Sequence, residues 1–171
     1  AQVAWLSFSW DSGLVTDVSV NSSGKIAVGG QFERFNTTTA NNIVVLNSNG
    51  SVDTSYNFSI GTNGSVSSVH LQDDGKVIVA GQFTQAGGSN RGNIARFNAN
   101  GTLDTSFAIG LGANNEIRSV YVQPDGKIVI GGVFTTVDGT AINRIARLNA
   151  DGSLDTSFTP STGADASVNT V

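Results

Sequence analysis

Two residue types in this chain recur where they could do chemistry, and a third occurs once. Lys25, Lys76 and Lys127 each follow a glycine, and a Gly-Lys pair also ends the loops that cradle phosphates. Asp53, Asp104 and Asp155 return at a constant interval of 51 residues, as carboxylates lining a shared metal site would. His70 is the only histidine, the side chain whose ordinary pKa suits proton transfer near neutrality. None of these chemistries has the surroundings it needs. A phosphate loop requires GxxxxGK[ST] opening a helix, and these Gly-Lys pairs sit in segments that alternate with period two. Calcium takes about six to eight oxygens, whereas each repeat offers one Asp and no DxDxDG loop; an Asx or Ser/Thr turn is the simpler role. His70 is replaced by Ser19 and Tyr121 at the matching positions, with no second histidine and no nucleophile set beside it. The expectation is no catalytic residue, no metal and no cofactor.

Bulk properties narrow the partners. The chain has 171 residues, a net charge of −4, 13% charged residues and no cysteine. No basic patch forms, so nucleic acid has no electrostatic footprint. A disulfide framework and a Cys-ligated zinc site are excluded. No apolar run approaches the roughly 20 residues of a membrane helix, so no membrane insertion is expected.

The interval of 51 organises everything else. "SGKIAVGGQF" (23–32), "DGKVIVAGQF" (74–83) and "DGKIVIGGVF" (125–134) are one stretch written three times. Units 14–64, 65–115 and 116–166 follow, with 1–13 as the end of a preceding repeat or a capping strand and 167–171 as the first strand of a further one. Within a unit the pattern reads as four antiparallel strands. "SVYVQ" alternates, "PDGK" turns, "KIVIGGVF" returns as a β-branched strand, and "RIARLN", "ADGS" and "SLDTSF" supply a third strand, a turn and a fourth strand. "KVIVAG" is apolar on both faces, so its sheet is covered on both sides. Sheets stacked around an axis do this, and the reading is an all-β chain of β-propeller blades. It places the repeated Asp on the solvent-facing outer edge and the lysines along the exposed turn near Asp74 and Asp125.

The units, for example "VQPDGKIVIGGVFTTVDGTAINRIARLNADGSLDTSF", closely resemble the delta-sixty repeat family of β-propeller repeats in large bacterial secreted and surface proteins. The motifs DGK, GGxF, IARLN and DGSLDTSF carry the resemblance across all three units, about nine-tenths of the chain. The first unit departs from it: "SSGK" replaces DGK, and "NIVVLN" lacks the arginine present as Arg96 and Arg147. The resemblance implies an extracellular or cell-surface scaffold and brings no catalytic residues. Three units are fewer than the roughly four to eight blades of a closed propeller. The partners expected are therefore other blades of a longer chain or copies of this one.

Recognition is expected in the loops that differ most between units, "ERFNTTTANN", "TQAGGSNRGN" and "TTVDGTAIN". Their candidate ligand-contact residues are Asn36, Asn41, Asn90, Arg91, Asp138 and Asn143, whose chemistry suits surface glycans or proteins. Trp5, Phe8 and Trp10 could stack on sugars, although their spacing also suits the core of a preceding strand. Six Asn-x-Ser/Thr sequons, at Asn21, Asn36, Asn49, Asn57, Asn63 and Asn100, are a weak signal, since a chain this rich in Asn, Ser and Thr supplies many of them by chance. The functional expectation is a non-enzymatic scaffold or adhesion module, a segment of a longer protein. The alternatives are a carbohydrate-binding module and a self-assembling subunit of a filament or surface layer.

Overall fold

The computed structural model describes residues 13–58 and 60–171; Trp5, Phe8 and Trp10 lie outside them. Unit 1 contains β1 (Leu14–Val20), β2 (Ile26–Gln31), β3 (Arg34–Phe35), β4 (Thr38–Thr39) and β5 (Ile43–Leu46). Unit 2 repeats the series as β6 (Ser65–Leu71), β7 (Val77–Gln82), β8 (Gln85–Ala86), β9 (Ser89–Asn90) and β10 (Ile94–Phe97). Unit 3 does so as β11 (Ile117–Val122), β12 (Ile128–Gly132), β13 (Thr136–Val137), β14 (Thr140–Ala141) and β15 (Ile145–Leu148). No helix occurs among the described residues, and so none long and apolar enough to cross a membrane.

Each unit is an antiparallel sheet in the order first, second, fifth strand: β1-β2-β5, β6-β7-β10 and β11-β12-β15. The glycine of each DGK-type turn makes the first link. Gly24, Gly75 and Gly126 have φ of 78°, 83° and 84°, the left-handed region that a side chain disfavours. Their N–H groups donate to the carbonyls of Asn21, Gln72 and Gln123, closing the turn. The fourth position is shortened to a single bridged pair: Leu46–Val52, Phe97–Leu103 and Leu148–Leu154. The following Asp explains the stop. Its Oδ1 accepts from both the N–H and the hydroxyl of the serine two residues on, as Asp53 does from Ser55 at 3.0 and 2.7 Å. That Asx turn leads the backbone out of the extended path.

The core lies between units as much as within them. Ala27, Ile43, Val45, Tyr56 and Phe58 of unit 1 form one buried cluster with Val66, Val69 and Leu71 of unit 2. Ile78, Ala80 and Ile94 of unit 2 meet Ile117 of unit 3 in the same way. A side-chain stitch accompanies this packing. Asp17 Oδ2 accepts from Val69 N–H at 2.8 Å, Ser68 Oγ from Val120 N–H at 3.2 Å, and Ser119 Oγ from Val171 N–H at 3.1 Å. The same polar position of each first strand thus holds the backbone of the next unit, and on β1 Ser19 adds a second bond, from Leu71 N–H at 3.0 Å.

Candidate functional site

The repeated lysines and aspartates find each other. Lys25 Nζ lies 2.6 Å from Asp53 Oδ2, Lys76 2.9 Å from Asp104, and Lys127 2.7 Å from Asp155. The lysines do stand in the turn beside its acids, the Lys76 and Lys127 N–H groups donating to Asp74 and Asp125, but their side chains fold back across 28 residues to the repeated aspartates. The reading of those aspartates as solvent-facing is corrected: they are only 4–8% exposed. The cause is the short fourth strand, which turns its carboxylate inward under the DGK turn.

In units 2 and 3 an arginine completes the clasp. Arg96 Nε is 2.7 Å from Asp104, and Arg147 Nε is 2.8 Å from Asp155. Each guanidinium also covers an aromatic ring, Phe107 at 4.7 Å and Phe158 at 4.9 Å. Arg96 Nη1 continues into unit 3 and donates to Ala150 O at 2.7 Å. Val45 occupies this place in unit 1. Burial alone would lift the Asp104 carboxyl, but hydrogen bonds from Ser106, Lys76 and Arg96 outweigh it and hold its pKa well below the usual range. Asp155 is held low chiefly by Lys127 and Ser157. Asp53 is lowered more simply, against its burial, by Lys25 and Ser55. These oxygens are committed to cations and N–H groups, so the clasp is a fastening. His70 is half-buried on β6, and burial lowers its pKa.

The variable loops are folded rather than irregular. β3–β4, β8–β9 and β13–β14 are two-residue hairpins, and each tip has a left-handed first residue: Asn36 (φ 52°), Gly87 (55°) and Asp138 (46°). Gly87-Gly88 and Asp138-Gly139 have positive φ at both positions, as a type I′ turn requires. The Gly-Gly and Asp-Gly pairs were the available signal for two of them. Their arms are two residues long and mostly polar, so no alternating apolar flank marked them as strands.

Between units the connectors are clamped by amides. Asn42 Nδ2 donates to Thr62 O and Gly64 O, and Asn93 Nδ2 donates to Ala113 O. Asn63 Oδ1 accepts from the N–H groups of Thr84 and Gln85, as Asn114 does from Thr135 and Thr136. Beside these clamps runs a polar groove of about 520 Å3, lined by Gln31, Glu33, Arg34, Asn42, Asn63 and Ser65 among others. Its counterpart one unit on, about 340 Å3, is lined by Gln82, Thr84, Asn93 and Asn114 and shares Asn63 with the first.

The candidate contact residues separate accordingly. Asn36 is exposed at the tip of β3–β4, and Asn90 is exposed on β9, with Arg91 Nη1 folded onto its carbonyl at 2.9 Å. The other three are joined to connectors. Asp138 Oδ1 accepts from Leu111 N–H at 3.0 Å, Asn143 Nδ2 donates to Thr162 O at 2.9 Å, and Asn41 O accepts from Thr62 N–H. Asn41 alone of the six lines the groove.

Antiparallel units stacked face to face through glycine and aliphatic side chains, with one turn-and-clasp pattern repeated in each, define a β-propeller repeat protein. Residues 22–56, 72–107 and 123–158 match the family described as "Domain of unknown function (DUF5122) beta-propeller". The chain belongs to that family, in agreement with its likeness to the delta-sixty repeats. No curated protein matches it. The three sheets do not close on one another into a ring.

Proposed function

We propose that this chain is a non-enzymatic scaffold of the cell exterior, an adhesive module whose hairpin tips and grooves meet the partner. One observation carries the reading. The clasps and clamps engage the charged and amide side chains internally in nearly the same way in each unit, whereas the exposed hairpins differ from unit to unit. A rigid frame with varied, polar, solvent-facing loops is the arrangement that recognition uses. Repetition lets several weak contacts act together.

A glycan is the favoured ligand, because the groove beside the hairpins offers the carboxamide of Gln31, the hydroxyl of Ser65, Glu33 and Arg34 within one polar trough. An array of bacterial and host-surface glycans tests this. Saturable binding is expected, weakened about tenfold or more by Asn36→Ala together with Gln31→Ala, with an unchanged circular dichroism spectrum. A blank array, with no binding to immobilised surface proteins either, would contradict the adhesive role.

A further inference from the structure

The dipeptide Asn-Gly occurs as Asn49-Gly50, Asn63-Gly64 and Asn100-Gly101. It is open to an internal reaction, because the glycine has no side chain to shield its nitrogen from the asparagine carboxamide. All three asparagines are exposed, so exposure does not separate them. What their side chains hold does.

Asn49 and Asn100 belong to the turn that precedes each clasp aspartate. Asn49 Oδ1 accepts from Ser51 N–H at 3.0 Å and from the Ser51 hydroxyl at 2.7 Å. Asn100 Oδ1 accepts from Thr102 in the same way, at 3.0 and 2.7 Å. Each N–H bond closes a small ring that contains both the carboxamide carbon and the glycine nitrogen. Two donors on one oxygen also draw electrons away from that carbon, as they would in an oxyanion hole. A single hydrogen bond restrains the nitrogen: Gly50 N–H donates to Asn47 O and Gly101 N–H to Asn98 O, both at 2.9 Å. Asn63 is fastened differently. Its Oδ1 accepts from the N–H groups of Thr84 and Gln85 and its Nδ2 donates to the Thr84 hydroxyl, so its carboxamide is committed to the next unit's hairpin.

Unit 3 carries the product of the reaction in place. By the repeat of 51, Asp151 stands where Asn49 and Asn100 stand. Asp151 Oδ1 takes the same two bonds from Ser153, at 3.0 and 2.7 Å, and these bonds, the hydroxyl's first, hold its pKa low. Its surroundings match those of Asn100: Asn57 N–H donates to Asn100 O at 3.0 Å, and Ala108 N–H to Asp151 O at 2.6 Å. A carboxylate therefore fits this turn and accepts its hydrogen bonds more strongly than an amide does.

We propose that Asn49 and Asn100 are sites of spontaneous deamidation and that Asn63 is spared. Hydroxide removes the glycine N–H proton and the nitrogen attacks Cγ. The Cγ–Nδ2 bond breaks as the leaving group takes a proton from water, releasing ammonia and leaving a succinimide. Water then opens either carbonyl of that ring, giving aspartate or isoaspartate. Overall one water enters, ammonium leaves and the chain gains one negative charge at each site. The aspartate form is the turn that unit 3 already has, whereas isoaspartate adds a methylene to the backbone. The proposal stands whether or not the hairpins bind a glycan.

The test is peptide mapping by mass spectrometry of residues 1–171 incubated at pH 8, natively and in urea, with fragmentation that separates aspartate from isoaspartate. In the native protein Asn49 and Asn100 are expected to convert about tenfold or more faster than Asn63, at rates that rise with pH. In urea, where the clamp and the turns are both undone, the three rates are expected to converge. Asn100→Asp is expected to keep the melting temperature of the wild type. Native Asn63 keeping pace with either turn site, turn sites that stay intact natively while the urea sample reacts, or a clear fall in melting temperature for Asn100→Asp would each overturn the proposal.

Discussion

β1 and β6 are the same strand in two settings. Both alternate small polar residues with aliphatic ones, both bulge at the same place, and both pair with the strand that follows the DGK-type turn. Yet Val69 is 4% exposed and Val18 51%. The difference lies in what stands before them: a sheet with Ala27, Gly29 and Ile43 precedes β6 within the described residues. Burial here belongs to pairs of units, so a single unit cannot complete its own core.

The largest effect that breaks this symmetry is a charge placed on each strand. Val69→Asp buries an unpaired carboxylate and is expected to cost about 4 kcal/mol or more. Val18→Asp stays within about 0.5 kcal/mol of wild type. Urea unfolding of the monomer, at high dilution, reads both values. Similar costs would mean that β1 is covered as β6 is.

The clasps give the next comparison. Asp104 holds Lys76, 30% exposed, and also Arg96, only 9% exposed, whereas Asp53 holds only Lys25, whose side chain is 37% exposed. Asp104→Ala is expected to cost about 3–5 kcal/mol, because it strands a buried guanidinium. Asp53→Ala costs about 1–2 kcal/mol, since water screens the remaining ammonium. Thermal melts of the two variants rank them.

Glycine separates a fixed neighbour from a terminal one. Gly29→Ala meets Val66 within a continuous sheet and is expected to cost about 1–3 kcal/mol. Gly131→Ala meets Val168 and Val171 of the terminal segment, which can shift, so its cost stays below about 1 kcal/mol. Equal costs in denaturant titrations would show that segment 167–171 is held as firmly as β6.

The smallest effects come from pH. The folded pKa values of Asp53, Asp104 and Asp155 are lowered from 3.8, so their contribution is complete above that value. It is lost as pH falls through the folded values, when the unfolded chain has already taken up the protons. Burial lowers His70 below 6.5, so stability also declines slightly as pH falls beneath 6.5. His70→Ser, the residue of unit 1, is expected to remove that shallow step and leave the acid limb unchanged in melts from pH 8 to pH 2.

Much of this was legible in the chain because it is local. The period-two strands, the Gly24, Gly75 and Gly126 turns and the interval of 51 residues are all short-range patterns, and the fold follows from them. The clasp was not legible as a contact, since Lys76 and Asp104 are 28 residues apart and meet only when the short fourth strand turns inward. Its trace was the constant offset between lysine and aspartate in every unit. The clamping roles of Asn42, in a variable loop, and Asn63, in a connector, were hidden differently: an asparagine reads the same whether it binds a ligand or holds backbone.

Native-state amide hydrogen exchange on the monomer tests the central claim, that a unit's first strand is held by its neighbour. Val69 N–H, which donates to Asp17 of unit 1, and the N–H of Leu71, which donates to Ser19, are expected to exchange only through the opening of the unit 1–unit 2 interface. The Val18 N–H, on the 51%-exposed Val18 and bonded to the half-buried Asp17 beside it, is expected to exchange faster by orders of magnitude. Equal protection of Val18 and Val69 in the same sample would contradict the account.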